Sequence, residues 1–159
     1  MPRGRCDHRS MMKPVTYVLQ FRGRANRWPT RRTVAELSAP STALVTMLGS
    51  DGVSAGYELS PGGEARLRSQ VTVRGELLEA QSTVSFGDGH ELRIRTVEPA
   101  HLVATPDPHL SQASVVSEVI GGRGQFRDAR GRIVSNLLIS DTGEVTDNHL
   151  GVIFVEGNT

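Results

Sequence analysis

Most of the features that would assign a function at once are absent from this sequence of 159 residues. A single cysteine, Cys6, excludes an intrachain disulfide and a thiolate metal cluster. The five histidines are scattered and form neither a His-x-His nor a His-Glu-x-x-His pair, so we predict no metal site. No apolar run is long enough to span a membrane, and the basic N-terminus lacks the apolar segment of a secretory signal. These absences favour a cytoplasmic protein that works without a metal.

A phosphate-binding loop and a nucleophile elbow are missing as well. The stretch GGRGQFRDARG, residues 121–131, is rich in glycine, but Arg127 stands where a dinucleotide-binding loop has its third glycine, and no Walker Lys-Ser/Thr follows. The next segment, RIVSNLLIS, is typical of a strand, so no helix N-terminus is available to bind an anion. The Gly-x-Ser-x-Gly pattern GVSAG, residues 52–56, runs into the expected strand 53–59 and not into a helix, so it is not a nucleophile elbow. We therefore expect no cofactor, and a glycine-rich corner between two strands with Phe126 as a large apolar plug.

Charge is balanced overall at +1 but is uneven along the chain. Residues 1–32 carry nine Lys or Arg against one acid, whereas residues 33–159 carry nine Arg against sixteen acids. A basic arm that contains Trp28 among its arginines is compatible with nucleic-acid binding, although no recognition helix, aromatic RNA-binding pair or zinc motif accompanies it. We therefore interpret residues 1–13 as a disordered basic tail and residues 14–159 as one domain.

Residues of alternating polarity, separated by turn sequences, predict an all-β chain. The segment ARLRSQVTV, residues 65–73, alternates strictly, and HELRIRTV repeats the pattern with Leu92, Ile94 and Thr96 inward. Between such segments lie GSDG, SPGG, FGDG and SDTG, which are suited to hairpins. The one candidate helix is interrupted by Pro40. The expected strands cover approximately residues 15–22, 33–38, 53–59, 65–74, 77–86, 90–97, 113–120, 132–140 and 149–155.

Two late segments, RIVSNLLIS and LGVIFV, indicate that the sheet closes and that its outside is partly covered. Both are apolar on two faces, unlike the half-polar strands before them. One face can fill the inside of a closed antiparallel barrel, which hides the sheet edges. The second face, assigned to Val134 and Leu138 or to Ile153 and Val155, must meet another subunit or a flanking N-terminal strand. We expect a homo-oligomer, with the flanking strand as the alternative.

The stretch VIGGRGQFRDARG, residues 119–131, resembles the Val-x-Gly-Gly-x-Gly-x-Phe-x-x-Ala-x-Gly signature of plant dirigent proteins, shared more loosely by allene oxide cyclases and bacterial relatives. The resemblance implies an eight-stranded antiparallel barrel, in a homodimer or homotrimer, whose interior accepts an apolar small molecule. Bacterial members of this group include cofactor-free [4+2] cyclases of natural-product pathways. No position here matches the pocket acids or arginines of the plant families, so their reactions are not carried over.

Inward positions of the expected strands supply candidate site residues. We predict that Tyr57 and Glu36 are catalytic, since an acid inside a barrel acquires a raised pKa suited to proton transfer. The predicted substrate-binding residues are Trp28, Tyr17, Ser82, Ser117 and Phe126. Each has a structural alternative: tyrosines fill cores, small serines relieve crowding, an aromatic in a loop packs on its neighbouring proline, and a shift of one residue would place Glu36 in water.

These expectations lead to a functional hypothesis. Without a cofactor or nucleophile motif, the remaining source of catalysis is the shape of the cavity, which can hold a flexible substrate in a reactive conformation. We predict a cofactor-independent cyclase or isomerase that acts on a hydrophobic, polyketide-like natural-product intermediate, with an intramolecular [4+2] cyclisation as one form of this chemistry. The alternatives are a non-catalytic carrier of a small apolar ligand, and a nucleic-acid binder that uses the basic arm.

Overall fold

The structure, a computed structural model, describes residues 11–157, with the backbone alone for residues 41–45 and 55–62. It contains one short 3₁₀ turn, Gly124–Phe126, and is otherwise built from strands, as the alternating pattern predicts. Within these residues, no helix is long and apolar enough to cross a membrane. The strands are β1 (Met12–Asn26), β2 (Arg32–Gly49), β3 (Gly52–Arg74), β4 (Leu77–Ser85), β5 (Glu91–Thr96), β6 (Ala100–His101), β7 (Val103–Ala104), β8 (Leu110–Arg123), β9 (Arg130–Ser140) and β10 (Glu144–Glu156).

Eight of these strands close into an antiparallel barrel. Around the ring the order is β3-β2-β1-β10-β9-β8-β5-β4, and a further pairing of β4 with β3 closes it. The two-residue strands β6 and β7 pair with β4 and β8 and lie off this ring. The prediction of a closed eight-stranded barrel is therefore confirmed.

The glycine-rich segment forms the corner between β8 and β9. Gly124 has a φ of +65°, which glycine adopts without strain. A Cβ at Gly122 would lie 2.3 Å from the carbonyl oxygen of Phe126, so only glycine allows this close approach. The Phe126 ring is 3% exposed and lies 5.1 Å from the ring of Phe86, measured between centroids. The segment is a corner closed by an aromatic plug, as predicted, and β9 follows it in place of a helix.

The corner end of the barrel is filled by side chains. Residues with less than 2% exposure there include Phe21, Val84, Leu92 and Ile153. The burial of Ile153 corrects our assignment of Ile153 and Val155 to the outer face of the last strand. The outward apolar residues of β10 are Leu150, Val152 and Phe154, because side chains alternate along a strand and the phase is one residue away from the expected one. In β9 the expected outward residues, Val134 and Leu138, do face outward.

Strands β2 and β3 continue past the ring as a two-stranded arm. β2 pairs with β1 as far as Ser38, and β3 pairs with β4 from Arg66 onward. Between these points β2 and β3 pair with each other, with an irregularity between Pro40 and Thr42. Pro40 lies beside this break in register, which suits a residue that cannot donate a backbone hydrogen bond. The arm projects from the corner end of the barrel.

Candidate functional site

The barrel interior contains a cavity at the end opposite the corner. All eight ring strands contribute side chains to its wall, together with Trp28 from the loop between β1 and β2 and Leu102 from between β6 and β7. Trp28 and Leu102 are partly exposed, so they lie at the mouth. The centre of a water molecule can occupy a volume of about 70 Å³ inside the cavity. At roughly 10–15 Å³ for each water on this measure, the cavity has space for about five to seven waters or for one compact ligand.

Small side chains on one wall keep this space open. Ala35, Ser69, Ala80 and Ser82 line it from β2, β3 and β4, where larger aliphatic residues would fill it. In an eight-stranded barrel the interior is just wide enough for side chains to fill or for one small ligand. Residue size therefore decides the outcome: large residues close the corner end, and alanine and serine leave the mouth end hollow.

A hydrogen-bonded chain of four side chains lies on the opposite wall. Asp147 and His149 are two residues apart on β10 and so face the same side of the strand, and Nε2 of His149 lies 3.0 Å from Oδ2 of Asp147. Ser135 of β9 donates its hydroxyl to Oδ1 of Asp147. The hydroxyl of Tyr17 on β1 lies 3.3 Å from Nδ1 of His149. Asp147, His149 and Ser135 are buried and line the cavity, whereas Tyr17 lies behind them.

A glycine makes room for the tyrosine. Tyr17 and Gly151 are partners in the register of β1 and β10, and a Cβ at position 151 would lie 2.3 Å from the Tyr17 ring. The ring therefore occupies the space that any larger residue would need. Its other side contacts Phe86 edge-on, with centroids 5.4 Å apart, while Phe21 contacts the His149 ring at 4.9 Å. These contacts fix the imidazole between two aromatic rings.

The electrostatics of the chain are set by burial and by one carboxylate. Burial raises the pKa of Tyr17 well above its ordinary value, and the negative charge of Asp147 raises it further. Tyr17 therefore remains a neutral phenol across the ordinary pH range. All four groups are satisfied when Tyr17 donates to Nδ1 of His149, and Nε2–H of His149 and the Ser135 hydroxyl donate to the two carboxylate oxygens. Each carboxylate oxygen keeps a lone pair for a ligand.

In chemical terms, the site is an acid–base pair set in an otherwise mostly apolar cavity. Asp147 can accept a proton from a ligand, while His149 and Ser135, which donate hydrogen bonds to its carboxylate, hold it in position. Among the described residues, no group of three or more His, Cys, Asp or Glu side chains is placed to bind a metal ion.

Comparison with known proteins identifies the architecture. No protein-family model and no curated protein matches the chain. Among solved structures, the pterocarpan synthase dirigent protein GePTS1 superposes with a TM-score of 0.51 and 18% sequence identity, over 92% of this chain and 90% of its own. The chain has a dirigent-like fold. At this identity the likeness concerns the arrangement of strands, and the chemistry of this dirigent-like barrel depends on the residues described above.

The dirigent-like barrel brings some of the predicted site residues together. Trp28, Ser82 and Ser117 line the cavity, and the hydroxyl of Tyr17 contacts His149, which also lines it. Phe126 belongs to the filled corner end and does not line the cavity.

The two residues predicted to be catalytic lie elsewhere. Glu36 is on the outside of the barrel, where its side chain is 62% exposed and lies 3.8 Å from Arg68. Its neighbours Ala35 and Leu37 face inward, so the phase of β2 is shifted by one residue from the expected one. Tyr57 lies on β3 in the two-stranded arm, and its side chain is outside the described residues.

Sequence reasoning missed Asp147, His149 and Ser135. The expected last strand begins at residue 149, whereas β10 begins at Glu144, so Asp147 falls outside the expected strands. A signal was present: Val145, Asp147 and His149 are in phase with Gly151 and the buried Ile153. A polar pair in phase with an apolar strand face is expected to point inward.

Proposed function

We propose that this dirigent-like barrel binds a compact apolar small molecule in its cavity and moves a proton on it without a cofactor, as an isomerase or a cyclase. The observation that carries the proposal is the Asp147–His149 pair, which is buried and hydrogen-bonded yet faces the cavity. A purely structural interior would be expected to avoid a buried carboxylate, because removing it from water is costly. The structural neighbour is described as a pterocarpan synthase, and that description supports a synthetic role for a barrel of this shape.

Asp147 is the proposed base. Its carboxylate removes a proton from one substrate atom and returns it to another, so that no proton or electron is gained overall. Ser135 and His149 hold the carboxylate in place, and Tyr17 orients the imidazole. Positioned acid–base groups of this kind typically contribute about 10²- to 10⁴-fold in rate.

The size of the cavity limits which substrates, and therefore which reactions, the barrel can accept. A compact enolisable or cyclisable substrate fits among the lining residues, whereas a long polyene for a [4+2] cyclisation would project through the mouth past Trp28. The proposal therefore favours proton transfer or closure of a small ring over cyclisation of an extended polyketide chain. A non-catalytic carrier of a small apolar ligand is the competing function, since it would use the same cavity.

Hydrogen–deuterium exchange separates the two functions without knowledge of the natural substrate. The protein is incubated in D₂O with a panel of small enolisable ketones, and deuterium incorporation is followed by mass spectrometry. We expect the wild type to accelerate exchange on members that fit the cavity, and Asp147→Asn to lose at least tenfold of that acceleration while still binding them. If ligands bind but exchange stays at the buffer rate for every member, the barrel is a carrier and the isomerase proposal is wrong.

We also propose that a second copy of the chain covers the outer face of β1, β10, β9 and β8. The register aligns Val18, Leu150, Val134 and Val116 in one exposed apolar row across these four strands. On one side, the adjacent row is uncharged and polar: Gln20, Asn148, Asn136 and Ser114. On the other side, the row of Thr16, Val152, Arg132 and Glu118 carries charges, as does Arg22 beyond the polar row, so the apolar row has charged residues around it. The outer faces of β3 and β5 carry Arg66, Arg68, Arg93 and Arg95 in place of an apolar row.

The size of this outer face suits a subunit contact. Four strands about 4.8 Å apart and five rows about 6.8 Å apart span roughly 600 Å². A standard interface buries about 800 Å² per partner, so the face approaches that size. The ten residues before Met11 include only one large apolar residue, Met1, so they offer little apolar surface to cover this face. A second copy of the chain presents an equally large apolar row and can cover it.

A further inference from the structure

The cavity has two polar clusters, and the proposed function uses only one of them. The first is the Asp147 cluster, formed by Asp147, His149 and Ser135. The second is a serine pair, Ser69 of β3 and Ser82 of β4, whose hydroxyl oxygens lie 2.7 Å apart. Both clusters line the same cavity. The side chains between them include the apolar Ile94, Leu137 and Val115, together with the small hydroxyl side chain of Ser117.

The two clusters lie on opposite walls. In the ring order, β3 is four places from β9, and β4 is four places from β10. Four places in a ring of eight is half the circumference, so the serine pair faces the Asp147 cluster across the barrel. A ligand that spans the cavity therefore meets a polar group at each end and mostly apolar side chains between them.

The serine pair has one hydrogen-bond donor available for a ligand. Two hydroxyls have two donor hydrogens, and one of these forms the hydrogen bond between Ser69 and Ser82. Among the described residues, neither hydroxyl has a further protein partner. One O–H thus remains to donate to a ligand acceptor such as a carbonyl oxygen.

The Asp147 cluster offers the opposite polarity. Both carboxylate oxygens already accept one hydrogen bond from the protein, and each has a remaining lone pair. The carboxylate is therefore an acceptor that recognises a ligand O–H, and a hydrogen bond to a charged acceptor is about twice as strong as a neutral one.

We propose that the ligand of this barrel is a compact apolar compound with a hydrogen-bond acceptor at one end and a hydroxyl at the other, of the hydroxyaryl ketone class. The serine pair binds the carbonyl oxygen, and Asp147 binds the hydroxyl. This inference rests on the proposed function only in that the ligand occupies the cavity. It adds the orientation for ligands of this class, whose hydroxyl is the group presented to Asp147, whereas reactive ketones of the exchange panel are those whose shape places an α-carbon there.

The test uses four probes that differ only in these groups: phenol, acetophenone, 4-hydroxyacetophenone and 4-methoxyacetophenone. Their affinities are measured by calorimetry for the wild-type chain, Asp147→Asn, the double variant Ser69→Ala/Ser82→Ala and each single serine variant. Ala80→Phe, which fills the cavity from β4, reports whether a probe binds there. Thermal unfolding of each variant shows that the fold is retained.

We expect 4-hydroxyacetophenone to bind most tightly. Asp147→Asn should weaken phenol and 4-hydroxyacetophenone about tenfold or more and leave acetophenone nearly unchanged. The double serine variant should weaken the binding of acetophenone and 4-hydroxyacetophenone about 3- to 10-fold and leave the affinity for phenol within about twofold. Each single serine variant keeps one hydroxyl as a donor and should retain most of the affinity.

The outcomes separate the two proposals. If no probe binds, or if Ala80→Phe does not reduce binding, the cavity is not the ligand site and the proposed function is wrong. If probes bind in the cavity but the two kinds of variant weaken all four alike, or if 4-methoxyacetophenone binds as tightly as 4-hydroxyacetophenone, the two-ended ligand is wrong while the function stands.

Discussion

Tyr17 and Gly151 share one space across β1 and β10: the tyrosine ring lies 2.3 Å from where a Cβ of residue 151 would be. The glycine is thus part of the site although it has no side chain. Because its backbone does not have a positive φ, any residue fits the conformation, and the requirement is for space alone.

Replacing Gly151 by alanine is therefore predicted to disturb the tyrosine. The added methyl forces the ring away from His149, and overpacking of this kind costs about 1–3 kcal/mol of unfolding free energy. Urea denaturation measures the loss, and deuterium exchange on a bound ketone should slow with it. Gly49→Ala is the matched control, because a Cβ there meets nothing within 4 Å. Equal stability of the two variants would contradict the crowding at Gly151.

The Tyr17 phenol is predicted to remain protonated when ordinary tyrosines ionise. Its pKa is raised, so the wild type and Tyr17→Phe should gain the same phenolate absorbance between about pH 9 and 11. A larger gain in the wild type would show that Tyr17 titrates normally. The folded state holds this proton more tightly than the unfolded chain, so the stabilisation is present below about pH 10 and is lost as the pH rises above it. Tyr17→Phe should lack this part of the alkaline loss.

On the surface, His109 is predicted to titrate above its ordinary range. Its Nδ1 lies 3.0 Å from Oδ2 of Asp141, and this hydrogen bond, with the charges of Asp141 and Asp107, raises the pKa of His109. An NMR titration of the imidazole should show the pKa falling toward 6.5 in Asp141→Asn. No change in that variant would mean that the two side chains do not pair in solution.

Self-association is predicted to depend on the exposed apolar row of Val18, Leu150, Val134 and Val116. Val134 is 48% exposed, so Val134→Arg should not disturb the fold, but it places a charge in the middle of the apolar row and should shift the protein to monomers. Sedimentation velocity compares it with the wild type and with Gln70→Arg, a control on the charged opposite wall. A wild-type protein that is monomeric at about 100 µM would rule out the interface.

Where residues close together in the chain determine the local structure, the sequence alone was sufficient to predict that structure. The corner at residues 121–131 depends on glycines that must accept positive φ or close contact, and on one aromatic residue next to them, all within a few positions of each other. The strict alternation of residues 65–73 likewise determines which side chains of β3 face inward. Both features were predicted correctly because no distant part of the chain decides them.

The site was harder to predict because it depends on phase and strand length. In β2, Val34 and Glu36 alternate with Ala35 and Leu37, and both sets contain an apolar residue. The inward set is the one whose small residues fit the cavity wall, which cannot be known before the neighbouring strands are placed. In β10, the polar residues before His149 look like a turn, and only pairing with β1 and β9 extends the strand through Asp147.

The filled corner end has a kinetic consequence for anything the barrel converts. Since Phe86 and Phe126 block that end, whatever enters past Trp28 also leaves past Trp28. Substrate and product then share a single entrance. An accumulating product should therefore compete with the substrate for the cavity and slow turnover. Replacing Trp28 by a smaller residue should speed product release.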